Sequence, residues 1–312
     1  MTKTSLICGS LAFDTIMQFE GRFGESLLAD QLHKVNVSFL VPTMRTEFGG
    51  CSGNIAYNLK MLGGEPLIMG VMGQDGGPYL ERLQKLGIPT GNILSKPASY
   101  TAQCFVTADA DNNQINAFHP GAMSFAHENH VADAGPLRVA IIAPDGHEGM
   151  LLHAGECFDL GVPFMFDPGQ QMPMFTGVQL IDFINQATYV TANDYEIELL
   201  MERTGLALPD IAARLAALIV TRGENGSEIY TEGKRIDIPP VKADAVLDPT
   251  GCGDAYRAGL LFGITNELGW ETTGRLASLM GAIKIAHQGG QNHEFTVLEI
   301  GDRFEAAFGY RY

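Results

Sequence analysis

Residues 248–259 read DPTGCGDAYRAG and lead from the strand-like DAVLD (244–248) into a long small-residue and apolar pattern, AYRAGLLFGITNELG. A strand, a glycine-rich turn and a helix in that order form one unit of α/β architecture. Gly251, Cys252 and Gly253 can present successive backbone N–H groups at a helix start, an anion site that needs no basic side chain. Asp254 follows where the helix dipole favours a carboxylate. A carboxylate beside an oxyanion-binding turn suits phosphoryl transfer: Asp254 would accept the proton of an attacking hydroxyl while the N–H groups stabilise charge on the moving phosphoryl group. The same residues also fit a plain helix cap after a glycine-rich turn.

Outward from this segment, short apolar runs alternate with amphipathic stretches. The runs are LICGS (6–10), LIMGVMG (67–73), VAIIAP (139–144), VPFMFDPG (162–169), YVTAN (189–193) and LIVTRG (218–223). Their unbroken hydrophobicity suits strands covered on both faces. Between them, GNIAYNLKMLGG (53–64), PYLERLQKLG (78–87), DYEIELLMERTG (194–205) and PDIAARLAAL (209–218) place apolar residues at helical spacing. The alternation predicts a doubly wound, mainly parallel sheet flanked by helices, in a single α/β domain over 1–312.

Two segments break the rhythm. Residues 14–48 and 99–120 carry strand-like alternation, and the second holds a turn signal at Asp111, Asn112 and Asn113 between QCFVTAD and QINAF. They predict a small β layer inserted after the first strand and again before the third. Such a layer would hang over the end of the sheet where doubly wound folds bind ligands, as a lid that excludes water. A β extension used for dimerisation is the other reading, and one layer can serve both. Its strand edges favour a homodimer that pairs lid to lid.

Composition bounds the partners. The 312 residues carry 36 acidic and 20 basic side chains, a formal charge of -16, which argues against nucleic acid because phosphate tracking needs clustered Lys and Arg. The cysteines at 8, 51, 104, 157 and 252 form no CxxC pair, and no run reaches ~18 apolar residues, so free thiols, a cytoplasmic location and no membrane partner are expected. His127 and His130 are spaced as in some metal sites, but their polar surroundings read as a solvated helix start. Glycine stands at 37 against ~22 at average usage, with no low-complexity tract to absorb the surplus.

The turn DPTGCGD is similar to the second signature of the PfkB, or ribokinase-like, family of carbohydrate and nucleoside kinases. FGGCSGNIA (48–56) resembles the family's first signature, and the resemblance implies that Gly49, Gly50 and Asn54 contact the substrate's hydroxyl-rich moiety. Asp14, in GSLAFD, matches the aspartate that accepts bonds from two sugar hydroxyls. NDYE (193–196) matches an Asn-x-x-Glu motif whose Glu196 would help to place Mg2+ through water, with Asn193 near the nucleotide phosphates. TRGENG (221–226) resembles the nucleotide-binding turn, with Thr221 and Gly223 near ATP and Gly226 permitting the turn. A ribokinase-like fold with a β lid, ATP and Mg2+ as cofactors, and Asp254 as base follow as what the resemblance implies over residues 5 to about 300.

This chain also departs from the family pattern. Cys252 could be a packing residue or, at a helix N-terminus, a reactive thiol. Arg257 could touch the transferred phosphate or form a surface ion pair. In family members activated by a monovalent cation, the ion lies near the strand of Asp248 and the loop after the last core helix, here HQGGQNH (287–293). His293 replaces the more usual small residue and leaves potassium activation open.

Asp14, Gly50 and Asn54 imply a substrate with vicinal hydroxyls and a CH2OH directed at Asp254. In the lid, SFLVPTMR (38–45) and NAFHPGAM (116–123) resemble the nucleoside-kinase branch. Phe118 and Met123 could sandwich a base, with Gln170 bonding its edge, or the first two could simply pack the lid. A purine nucleoside, adenosine first and then inosine or guanosine, is the expected acceptor. A ribokinase- or fructokinase-type sugar kinase and a non-catalytic nucleoside sensor are the alternatives. No GxGxxG follows the first strand, which excludes a dinucleotide-binding dehydrogenase.

Overall fold

Strands β1 (Thr4–Cys8), β2 (Ala12–Gln18) and β3 (Thr43–Gly49) open the chain, with the single turn α1 (Phe23–Ser26) between the last two. The computed structural model describes residues 2–26, 36–111 and 113–312; part of the first lid segment and Asn112 of the expected turn lie outside the described residues. Next come α2 (Cys51–Met61), β4 (Glu65–Gly73), α3 (Gly77–Lys85), β5 (Ile93–Lys96), β6 (Ala102–Ala108) and β7 (Gln114–His119). The chain then alternates through β8 (Val139–Ile142), α4 (His147–Asp159), β9 (Phe164–Phe166), α5 (Gly177–Gln186), β10 (Tyr189–Asn193), α6 (Asp194–Thr204), α7 (Leu208–Ala212) and β11 (Ala217–Thr221). A hairpin, β12 (Ser227–Thr231) and β13 (Lys234–Ile238), precedes α8 (Cys252–Thr265), α9 (Trp270–Ile285) and α10 (Val297–Phe308).

The large sheet runs β13-β12-β11-β10-β9-β8-β1-β4-β5. Its pairs from β5 to β11 are parallel, and β12 and β13 are antiparallel. Period-two alternation splits the strands between two cores. Leu6, Cys8, Ala140, Ile142, Phe164, Phe166, Val190 and Val220 face one side, under α4, α5 and α6. Ile7, Val139, Ile141, Met165 and Ile219 face the other, with Ile55, Leu59, Ala258 and Leu261 from α2 and α8. The sheet is thus mainly parallel, doubly wound and covered by helices on both faces, as the strand–helix alternation predicts.

A second sheet, β3-β2-β6-β7, forms the lid. Its β2/β3 and β6/β7 pairs are antiparallel and β2/β6 is parallel. Asp109 fixes the turn after β6: its carboxylate accepts the N–H groups of Asp111 and Asn113 at 2.9 Å and of Phe23 at 3.0 Å.

Three boundaries differ from the sequence reading. PDIAARLAAL is helical only to Ala212, because Ala217 and Leu218 pair with Tyr189 and Val190 and enter the sheet. DAVLD is not a strand: Val246 and Leu247 are exposed, and the N–H groups of Leu247 and Asp248 turn to the Ile285 carbonyl at the end of α9. The hairpin β12–β13 was not expected; its two-residue turn, Glu232-Gly233, takes φ of 50° and 70°, as the twist of a tight hairpin requires.

Candidate active site

The parallel strands deliver their C-terminal ends to one edge of the sheet: Cys8, Ile142, Phe166, Asn193 and Thr221 close β1, β8, β9, β10 and β11 there. The lid leaves the sheet from the same edge, since β2 begins four residues after Cys8 and β3 ends two residues before Cys51. Asp14 is set in the lid by its register opposite Glu47 and Cys104. Gly49 makes room for it: a Cβ at position 49 would lie 2.3 Å from Asp14 Oδ2. Gly50, with φ of 85°, turns the chain from β3 into α2, where a Cβ would meet the Ser10 carbonyl at 2.5 Å.

At the start of α8, Gly251 adopts φ 77° and ψ 4°, a left-handed conformation that suits glycine. Among the described residues, the N–H groups of Gly251, Gly253 and Asp254 have no protein acceptor, as an anion-binding helix start requires. The Cys252 N–H departs from the expectation, because it turns back to the Pro249 carbonyl at 3.1 Å. Its thiol departs from the reactive reading too: burial pushes it up to about 11, against the pull of Lys284.

Asp254 sits inside a network. Asn54 Nδ2 donates to Asp254 Oδ2 at 2.9 Å, and Gln291 Nε2 donates to Asn54 Oδ1 at 3.1 Å and to the Tyr79 hydroxyl at 2.6 Å. Tyr79 in turn donates to the Gly49 carbonyl at 2.8 Å. Burial raises the Asp254 carboxyl to about 6, with Asp167 and Asp14 adding to it and Asn54 and Arg257 pulling it down. Burial, then Asp248 and Glu47, raise Asp14 to about 6 as well. A carboxylate poised near neutrality beside free N–H donors is the arrangement of a general base next to an oxyanion site.

Arg257 is not a surface ion pair. It is buried and forms a bidentate pair with Asp167, Nε to Oδ2 at 3.0 Å and Nη2 to Oδ1 at 2.9 Å. Asp167 follows β9, so the pair ties α8 to the sheet edge.

Beside the turn lies a cleft of about 540 Å3. Thr221, Gly223 and Gly226 line it on one side, Cys252, Gly253 and Arg257 at its floor, and Pro240, Val241, Val246, Ala282 and Ile285 give it apolar walls. The nucleotide-binding residues expected from TRGENG therefore share one cavity with the anion turn. A smaller crevice of about 230 Å3, at Arg138, Tyr189 and Trp270, is lined from the strands' opposite ends and is remote from this chemistry.

Asn193 and Glu196 form a reciprocal capping box on α6, with both bonds at 2.8 Å. Burial and then Asp167 raise the Glu196 carboxyl above its ordinary value. No cluster of three metal-ligating side chains occurs among the described residues. His130 instead pairs with Glu156 at 2.6 Å, in keeping with a structural role for HENH.

The proposed base-binding residues are placed unequally. Phe118 is 45% exposed on the lid's edge strand, and Gln170 is exposed in the turn after β9. Met123 is only 5% exposed and packs on Ala12 and Ala102, so the packing alternative describes it. Gln291, Tyr79 and Asp167 were missed; Gln291 lies in the flagged QGGQNH loop, but nothing local links it to Asn54, 237 residues away.

Fold and site together define a phosphotransferase that acts on an alcohol group. The chain belongs to the pfkB family of carbohydrate kinases, whose profile matches residues 21–296. It is 53% identical to the nucleoside kinase of Burkholderia thailandensis in complex with inosine, with a TM-score of 0.90 and coverage of 98% of this chain and 99% of that one. The same enzyme in complex with ADP-inosine aligns at 55% identity with a TM-score of 0.87, covering 98% and 97% of the two chains. A nucleoside kinase of Methanocaldococcus jannaschii is 30% identical over 86% of this chain and 89% of its own. The chain lies in the branch of the family to which these enzymes belong.

Proposed function

We propose that this protein transfers the γ-phosphoryl group of ATP to the 5'-hydroxyl of a purine nucleoside. The observation that carries the reading is the Asp254 carboxyl, held near pKa 6 at a helix start whose neighbouring N–H groups point to no protein acceptor. In this mechanism Asp14 accepts the two ribose hydroxyls and Asn54 bonds both the sugar and Asp254, which sets the 5'-hydroxyl against the base. Asp254 takes the hydroxyl proton as the oxygen attacks the γ-phosphorus, while the N–H groups of Gly251, Gly253 and Asp254 hold the transferred oxygens. Thr221, Gly223 and Gly226 line the cleft for the nucleotide, whose adenine rests on the walls at Val241, Val246 and Ile285.

A Mg2+ ion fits a site with few protein ligands. Such an ion keeps waters and phosphate oxygens and needs only one or two carboxylates. Glu196 can supply one, because only its Oε2 is used in the cap. The ion would neutralise phosphate charge that a protein of net charge -16 cannot offset with basic side chains.

The inosine complex of the Burkholderia thailandensis relative favours a hypoxanthine or related purine base. Phe118 is an exposed lid aromatic offered to it, and Gln170, in the turn after β9, is the edge donor. A purine-salvage role follows from that acceptor. The lid also supports a homodimer: β7 is exposed along its length, and Met44, Phe105, Ile115 and Phe118 give the layer exposed apolar side chains. Five free cysteines suit a reducing cytoplasm, and no helix among the described residues is long and apolar enough to cross a membrane.

ADP release measured with adenosine, inosine, guanosine, cytidine, ribose and fructose tests the reading. A purine nucleoside is expected to give the highest kcat/KM. A higher value for ribose or fructose would make the protein a sugar kinase, and ligand binding without ADP release from any of them would make it a sensor.

A further inference from the structure

Lys284, in the last turn of α9, is 0% exposed. Its Nζ donates to the main-chain carbonyls of Asp248 at 2.7 Å and His287 at 3.0 Å. Those two carbonyls belong to the two segments between which the family resemblance puts a monovalent cation. Carbonyl oxygens from irregular backbone are what such an ion would use, but here the chain's own ammonium already occupies them.

The rest of the cradle is also spoken for. Asp248 Oδ1 accepts the Thr250 N–H at 2.9 Å and Oδ2 accepts the Gly289 N–H at 2.8 Å. Burial raises this carboxyl, yet those bonds and Lys284 outweigh it and hold the group below its ordinary value. His293 is buried and neutral: burial, then His287 and Lys284, depress it to about 3, and its Nε2–H donates to Asn58 Oδ1 at 2.7 Å. A potassium ion therefore does not fit the residues present.

We propose that Lys284 is a positioning residue that replaces a monovalent cation, pinning the Asp248 carbonyl to the 287–293 loop so that the turn at 249–253 aims its N–H groups at the phosphoryl group. Burying a lysine is costly unless its charge is matched; burial lowers the Lys284 pKa from its ordinary value, and Cys252, Asp248 and Asp254 work against that shift. Close packing places it there: Gly259 of α8 lies so near Ala277 of α9 that a Cβ would meet the Ala277 Cα at 2.5 Å. The ammonium thus also adds positive potential behind the anion turn. The proposal rests on phosphotransfer at Asp254, not on which nucleoside is the acceptor.

The test measures ADP release with whichever acceptor the wild-type enzyme turns over, in potassium, sodium and tetramethylammonium chloride at equal ionic strength. The wild-type kcat should agree across the three salts within about twofold, and potassium should not raise its Tm. Lys284→Met, of similar length without charge, should lose about a hundredfold in kcat, the scale of one lost oxyanion contact, with the acceptor KM nearly unchanged. Lys284→Ala should regain part of its kcat, and gain in Tm, with potassium or methylammonium. Severalfold potassium activation of the wild type would overturn the proposal even if both variants failed to fold. A folded Lys284→Met with wild-type kcat, or a loss shared equally by kcat and KM that no cation restores, would overturn it as well.

Discussion

Asn54 Nδ2 and Asp254 Oδ2 lie 2.9 Å apart, joining the first glycine signature to the second across 200 residues of sequence. The bond lowers the pKa of Asp254, and in the proposed mechanism it gives Asn54 a second task beside its contact with the acceptor's sugar. Gln291 holds the amide's other end, so its orientation is fixed before any ligand arrives.

The pH dependence follows from that pair. Asp254 is active when ionised, so a carboxyl raised to about 6 makes kcat/KM fall as pH drops through about 6. Asp14, also raised to about 6, must be ionised to accept hydroxyls and steepens the fall. Because the Asn54 bond lowers the Asp254 pKa, Asn54→Leu should move the acid limb to higher pH. A pH–rate profile of the two proteins checks this, and a limb that stayed or moved to lower pH would contradict it.

Gly49 leaves the room that the Asp14 carboxylate occupies. A Cβ 2.3 Å from Asp14 Oδ2 must displace the carboxylate. Gly49→Ala should therefore raise the acceptor KM by about tenfold or more, the scale of one or two charge-assisted hydrogen bonds. The KM for ATP, which the proposed mechanism puts in the cleft lined by Thr221, Gly223 and Gly226, should change little. Steady-state kinetics in both substrates separates the two constants.

The Arg257–Asp167 pair is buried and bidentate. Arg257→Met leaves Asp167 as an uncompensated buried charge and should cost about 3–5 kcal/mol in urea denaturation. The double variant Arg257→Met/Asp167→Leu should recover much of that loss. Equal stability of the single and double variants would mean that the pair's charges are not what holds α8 to the sheet.

What the sequence made legible was whatever is encoded locally. The turn at 251–254 and the strand alternation each depend on residues a few positions apart, so pattern and spacing carry them. Arg257 could not be read this way, because its partner lies 90 residues earlier on another element. The same holds for Tyr79, Gln291 and Lys284, whose roles arise only when α2, α3, α9 and the loop after α9 meet. DAVLD misled because its apolar residues line a cleft and a surface rather than a sheet.

The central claim is that Asp254 takes the proton from the acceptor hydroxyl. Asp254→Asn keeps the side chain's shape but cannot accept that proton. The direct measurement is its ADP-release rate alongside its affinity for inosine by calorimetry. The account predicts a kcat lowered by about 10²- to 10⁴-fold, the range of general-base catalysis, with inosine binding within a few fold of wild type. Near-normal turnover by this variant would contradict it.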